Sequence, residues 1–195
     1  MGNLLVAEAT IQGTRALFWH HFGPDALPLE KREKTGVAGN DPTEWTRTVL
    51  MTKDRQLFLQ ANYIFGCIRD GARYTKKGRS SLQSAVCATI QVTDERVMVD
   101  RYVPPEPIPT DPEEVVYMDI RSVRNPTTKA RNIRYRIAAS PGWSCAFHLL
   151  WDKTIVGRNE MEAVLRDAGT LVGIGDGRTI GYGRFELKAF NVADA

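Results

Sequence analysis

Two hydrophobic periods divide the chain. A period of two marks strands at residues 3–12, closed by Gly13, near Arg96–Asp100, over Val115–Val123 and over Tyr182–Phe190. In the last of these, Phe185, Leu187 and Ala189 alternate with Arg184, Glu186 and Lys188. Asn132–Ala138 and Trp143–Trp151 alternate in the same way and predict a hairpin closed through Ser140-Pro141-Gly142. In its first arm Ile133, Tyr135 and Ile137 share one face, and Arg134 and Arg136 the other. Short strands at Thr48–Thr52 and Gln56–Leu59 would close a small hairpin around Lys53-Asp54-Arg55.

A period near 3.6 marks two helices. Ala61, Ile64, Phe65, Ile68 and Ala72 predict a helix over 62–74, with Asn62 as its N-cap. Met161, Val164, Leu165 and Ala168 form the buried stripe of a second, from about 159 to 168. Asn159-Glu-Met-Glu162 gives it a capping-box-like start, and Gly169 would end it as a C′ glycine. Residues 82–90 fit either a short helix or a turn entering a strand. Neither period survives at about 23–47 (Pro24, Pro28, Gly36, Gly39, Pro42) or 101–114 (Pro104, Pro105, Pro107, Pro109), which predict irregular insertions at the surface. The expectation is one domain, residues 1–195, of α+β class. With the insertions set aside its order is strand, helix, hairpin, helix, strand: the β-α-β-β-α-β of ferredoxin-like and RNA-recognition-motif folds.

Composition narrows the class. The chain has 195 residues, 43% of them hydrophobic, and no apolar run of the roughly 18 residues that would suggest a membrane span. No secretory signal pattern opens it, and Val6 stands where a myristoylation site needs Ser or Thr. Cys67, Cys87 and Cys145 are odd in number and have no zinc spacing, which predicts reduced thiols in a cytoplasmic protein. The net charge of +3 is unevenly spread. From Ile120 to Trp151 no acid occurs, while Arg121, Arg124, Lys129, Arg131, Arg134 and Arg136 all do. A second basic cluster holds Arg69, Arg73, Lys76, Lys77 and Arg79. Acids gather instead at Asp94–Asp119, flanking proline loops at no metal-ligand spacing, so no metal and no other cofactor is expected. Segregated charge of this kind favours a polyanionic partner, with phosphate contacts that position a strand without reading it.

The most particular stretch is Gly173-Ile-Gly-Asp-Gly-Arg-Thr-Ile-Gly-Tyr-Gly-Arg-Phe185. Its order, helix then glycine loop then strand, is the reverse of dinucleotide and P-loop sites, and it lacks the Gly-Lys-Ser/Thr ending. Five glycines and two arginines, Arg178 and Arg184, fit a loop that holds a phosphate backbone; the plainer reading is a tight connection. Tyr182 lies within the loop and is the best candidate for stacking a base, ahead of Trp19, Trp45, Trp143, Trp151, Tyr74 and Tyr102.

A glycine-rich loop between last helix and last strand of such a fold resembles the RAMP superfamily, the repeat-associated proteins of CRISPR effector complexes. Leu57-Phe-Leu-Gln-Ala-Asn-Tyr-Ile-Phe-Gly-Cys-Ile-Arg69 resembles the RAMP pattern of a short strand leading into the first helix. Ala168–Asp176, Ala-Gly-x-x-Val-Gly-Ile-Gly-Asp, is also similar to the ending of small phage proteins. The resemblance implies a protein like the backbone subunit of an effector: it binds single-stranded RNA or DNA, RNA by preference, with copies of itself or other effector subunits along the strand, in antiviral defence. It implies no membrane partner. The expected contacts are Lys76, Lys77, Arg79, Arg121, Arg124, Lys129, Arg131, Arg134, Arg136, Gly175, Gly177, Arg178, Gly181, Tyr182, Gly183 and Arg184. Some RAMP relatives cut RNA without metal through a histidine, which makes His20 and His21 the catalytic candidates of an alternative reading; the plainer one packs them beside Trp19 and Phe22. A third reading is a phage-encoded interaction protein that docks on a host complex.

Overall fold

The structure is a computed structural model that describes residues 2–23, 41–124 and 131–195. The first strand, β1 (Leu4–Gly13), turns Leu5, Ala7, Ala9 and Ile11 inward and Leu4, Val6, Glu8 and Gln12 outward, as its period requires. A tight turn leads to β2 (Leu17–Trp19). After the undescribed segment come a one-turn helix α1 (Glu44–Thr48), an edge strand β3 (Gln56–Gln60) and the first long helix, α2 (Ala61–Gly71). There follow the two-residue strands β4 (Lys76–Lys77) and β5 (Ser80–Ser81), helix α3 (Gln83–Thr89), β6 (Gln91–Val92) and β7 (Arg96–Tyr102). The long arms β8 (Val116–Arg124) and β9 (Arg131–Ala139) precede β10 (Ser144–Asp152), helix α4 (Arg158–Asp167) and β11 (Phe185–Asp194).

The main sheet has the order β11-β1-β10-β7-β3, antiparallel throughout. From β1 the chain passes through α2 to β7, and β10 fills the gap between them; from β10 it passes through α4 to β11, and β1 fills that gap. Two interleaved split βαβ units make an α+β fold compatible with the ferredoxin-like class. One sheet face is covered by α2 and α4, whose Ile64, Cys67, Ile68, Met161, Val164 and Leu165 meet Phe147, Leu149 and Trp151 in one core. The helices approach closely because Gly71 has no side chain; a Cβ there would lie 2.6 Å from Ala168.

The second sheet, β2-β9-β8, corrects one expectation. Residues 132–138 and 143–151 do not pair as a hairpin: β9 pairs with β8 and β2, and β10 with β1, β6 and β7. At Ser140-Pro141-Gly142 the chain crosses between sheets, held by Gly142 N–H donating to Gly13 O and Gly13 N–H to Trp143 O. A side chain at Gly13 would occupy the place of the Trp143 ring. Smaller corrections follow from local bonding. The helix predicted at 62–74 begins one residue earlier, and neither Asn62 nor its N-cap residue Gln60 makes a side-chain cap. Gly157, not Asn159, opens α4, its N–H donating to Glu160 at 2.8 Å. Gly169 does not terminate that helix; it lies in a wide π turn, Ala168–Val172, where a Cβ would strike Phe185 O at 2.3 Å. Residues 83–89 resolve to helix. Within 23–47, residues 24–40 lie outside the described part, and α1 begins at Glu44. Among the described residues no helix is long and apolar enough to cross a membrane.

Candidate nucleic-acid interface

The β8–β9 arms carry most of the acid-free basic run, and their register sorts it. Asp119 faces Arg136, Arg121 faces Arg134 and Arg124 faces Arg131. Alternation puts the first two pairs on one face and Arg131 on the other. On that first face Arg136 is folded into the protein, Arg134 is half-buried and Arg121 stays exposed. Arg136 is 5% exposed and donates to Asp119 and Asp176, each at 2.6 Å. Arg121 donates to Asp119 at 2.6 Å and to the Tyr182 hydroxyl. Arg134 bonds Glu44, which also accepts from the Tyr135 N–H at 3.2 Å. Three guanidinium groups are therefore matched by three carboxylates drawn from outside the run. Arg136 is buried in two ion pairs in this structure, and a buried charge pair is held by geometry. Arg131 is exposed with no ion pair among the described residues. For Arg124 only the backbone position is described, and Lys129 lies outside the described residues.

The glycine loop packs on the same face. Asp176 N–H donates to Phe18 O at 2.9 Å, Gly183 N–H to Ala16 O at 2.8 Å and Ile174 N–H to Gly183 O at 2.9 Å. Gly183, at φ +66°, is required by this closure, since a Cβ would lie 1.7 Å from Ile174 O. Gly175 lies against Phe18 O and Gly177 against the Tyr182 ring, each with no room for a Cβ. Gly181 differs: at φ +95° it has nothing within 4 Å of its missing side chain. Tyr182 is half-buried and packs within the protein. Its ring lies on Phe18, centroids 4.2 Å apart, and the Arg121 guanidinium lies 5.1 Å from its own centroid. The four tryptophans are buried in the core, so none offers a face to a base; Tyr74 and Tyr102 are exposed. Arg178 bonds Asp70 at 3.5 Å. Arg184 is half-buried and has no ion pair among the described residues.

In the second basic cluster Arg69 and Lys77 are ion-paired, and Arg73, Lys76 and Arg79 keep their charge. Thr75 donates to Asp167 at 2.6 Å and Lys77 pairs with Glu160 at 2.9 Å, which fixes the β4–β5 hairpin against α4. The Gly157 N–H and then Lys77 hold the Glu160 carboxyl below its ordinary range. Asp70 is bonded by Arg69 and Arg178, and Glu162 by Arg166. Arg73, Lys76, Arg79 and Arg158 are exposed and have no ion pair among the described residues. Arg73 and Arg158 stand beside the hairpin through the end of α2 and the start of α4. Arg158 joins the set only through Gly157 and Glu160, a tertiary arrangement its sequence position does not advertise.

The histidines fall near α1 and α2. His20 Nε2 is 3.3 Å from Glu44, and His21 Nδ1 is 3.2 Å from the Tyr63 hydroxyl. Burial, and then the Asp176 charge, raise the Tyr63 pKa. Among the described residues no three His, Cys, Asp or Glu side chains converge as metal ligands.

No family model matches the chain, and no curated protein does. Among solved structures, a chain of the Type III-B Cmr-beta bound to cognate target RNA is similar to it, with 12% identity and a TM-score of 0.48. That likeness covers 98% of this chain and 61% of the other, so this chain spans less than two thirds of that one.

Proposed function

We propose that the protein binds single-stranded nucleic acid, RNA in preference to DNA, and does not cut it. The observation that carries this is the set Arg73, Lys76, Arg79 and Arg158: four exposed cations around one hairpin whose neighbouring carboxylates are already bonded. Cations left in surplus on a folded surface attract phosphates and release the strand's condensed counterions. Arg131, out on the β8–β9 arms, extends the positive surface. The resemblance of the glycine-loop ending to the RAMP superfamily supports RNA as the strand, copies of the chain or other effector subunits as neighbours along it, and a part in antiviral defence. The test is the nucleic acid that accompanies the protein through purification. Short RNA, removed by ribonuclease and untouched by deoxyribonuclease, is expected. Protein free of nucleic acid that also fails to retain added single strands would overturn the proposal.

A second reading, metal-independent RNA cleavage, is favoured by one contact, His21 Nδ1 to the Tyr63 hydroxyl at 3.2 Å. A histidine base beside a tyrosine that keeps its proton could deprotonate a 2′-hydroxyl and supply a proton elsewhere. Cleavage of stem-loop RNA in the presence of a chelator, abolished by His21→Ala, would establish it.

A further inference from the structure

Beside the glycine loop lies a second feature, whose lining shares no residue with the cationic hairpin. Thr14, Arg15, Thr170, Gly181, Arg184, Phe185 and Glu186 line an open cleft of about 400 Å³. Three tertiary bonds build it. Thr14 and Arg15 N–H groups both donate to Arg184 O, at 2.8 and 3.3 Å, and Trp143 Nε1 donates to Arg15 O at 2.8 Å. The β1–β2 turn is thereby clamped to the start of β11, and two arginines from opposite ends of the chain border one hollow.

The chemistry of the lining is one-sided. The side chains of Arg15 and Arg184 make no hydrogen bond or ion pair among the described residues, and Arg184 Nη1 is withdrawn from water without a partner. The hydroxyls of Thr14 and Thr170 are likewise unengaged among them. The one carboxylate present, Glu186, is bonded by Lys188 at 2.8 Å and held below its ordinary pKa by that bond. Gly181 leaves its side of the cleft open, with nothing within 4 Å of where a Cβ would be. A half-buried guanidinium without a counter-charge is costly, and an anion accepting from it offsets that cost.

We propose that this cleft is a phosphate site, in which Arg15 and Arg184 close on one phosphate group and Thr14 and Thr170 donate to its remaining oxygens. That the phosphate belongs to a nucleic-acid strand rests on the function proposed above; the affinity of the cleft for phosphate itself does not. The group is either the terminal monoester of a strand or an internal diester.

The test has two arms on the full chain. In the first, thermal unfolding is followed in sodium phosphate and in sodium chloride at equal ionic strength. Wild type is expected to be stabilised by phosphate, and Arg15→Gln and Arg184→Gln to lose that stabilisation. No stabilisation of wild type, or the same stabilisation in both variants, overturns the proposal, whatever happens with RNA. The second arm compares 5′-phosphorylated and 5′-hydroxyl oligoribonucleotides of one sequence. Tighter binding of the phosphorylated strand by tenfold or more, erased in the variants, assigns the terminal group. An equal loss on both strands in the variants assigns the diester. Stabilisation by phosphate without RNA binding in wild type would leave the cleft standing and remove the nucleic-acid reading.

Discussion

Arg136 donates to Asp176 across 40 residues of sequence, at 2.6 Å, and so ties the base of the β8–β9 arms to the glycine loop. The same guanidinium bonds Asp119 on the neighbouring strand and lies 4.8 Å from the Phe18 ring centroid. A nucleic-acid contact and a structural anchor at this position have different consequences. As an anchor, Arg136→Ala leaves Asp119, whose side chain is 4% exposed, with Arg121 as its remaining ion pair and one carboxylate oxygen without its donor. Because Arg121 still compensates that charge, the expected loss is about 1–3 kcal/mol of stability, read from denaturant unfolding. Asp176→Asn, with a carboxylate 39% exposed, should cost much less. An Arg136→Ala protein that unfolds like wild type and binds RNA weakly would reverse the assignment.

Two glycines of the loop should respond very differently to a side chain. Gly183→Val drives a Cβ into the Ile174 carbonyl and opens the loop, a loss of about 3 kcal/mol or more from combined overpacking and a left-handed backbone. Gly181→Ala meets empty space and should cost about 1–2 kcal/mol, from the backbone alone. Equal losses at the two positions would show that packing against Ile174 does not hold the loop.

The cysteines give a check on the core that needs no ligand. Burial pushes the Cys67 and Cys145 thiols up to about 12, while Cys87 is exposed on α3. At pH 8 a thiol reagent should modify one cysteine per folded molecule quickly and the other two only on unfolding. Rapid reaction of two or three in the native protein would contradict the packing of α2 and β10.

Much of this fold is legible in the sequence, because burial writes a period into each element. The inward faces of β1, β10 and α4 follow from alternation and from the stripe Met161, Val164, Leu165 and Ala168. Pairing partners leave no such mark. Residues 132–138 and 143–151 alternate as arms of a hairpin would, yet the Trp143 ring docking against Gly13 sends them to different sheets. The charge pattern misleads for a related reason. The run from Ile120 to Trp151 is free of acids only along the chain; Glu44, Asp119 and Asp176 reach it in space. Glycine richness in the loop reflects contacts with Phe18, Ile174 and Tyr182 that no local pattern reveals. What the sequence could not show in the other direction is Arg15, a lone residue in a turn that the fold brings to the cleft beside Arg184.

Binding of single-stranded RNA as a function of salt tests most directly the central claim, that the cations around the β4–β5 hairpin, which have no ion pair among the described residues, contact phosphates. The affinity of wild type should fall steeply as salt rises, by about 0.7 in the log–log slope for each phosphate neutralised. Lys76→Glu with Arg79→Glu, two exposed residues whose side chains bond none of the described residues, should melt like wild type, bind more weakly and lower that slope by about 1.4. An unchanged affinity and slope in the folded double variant would contradict the claim.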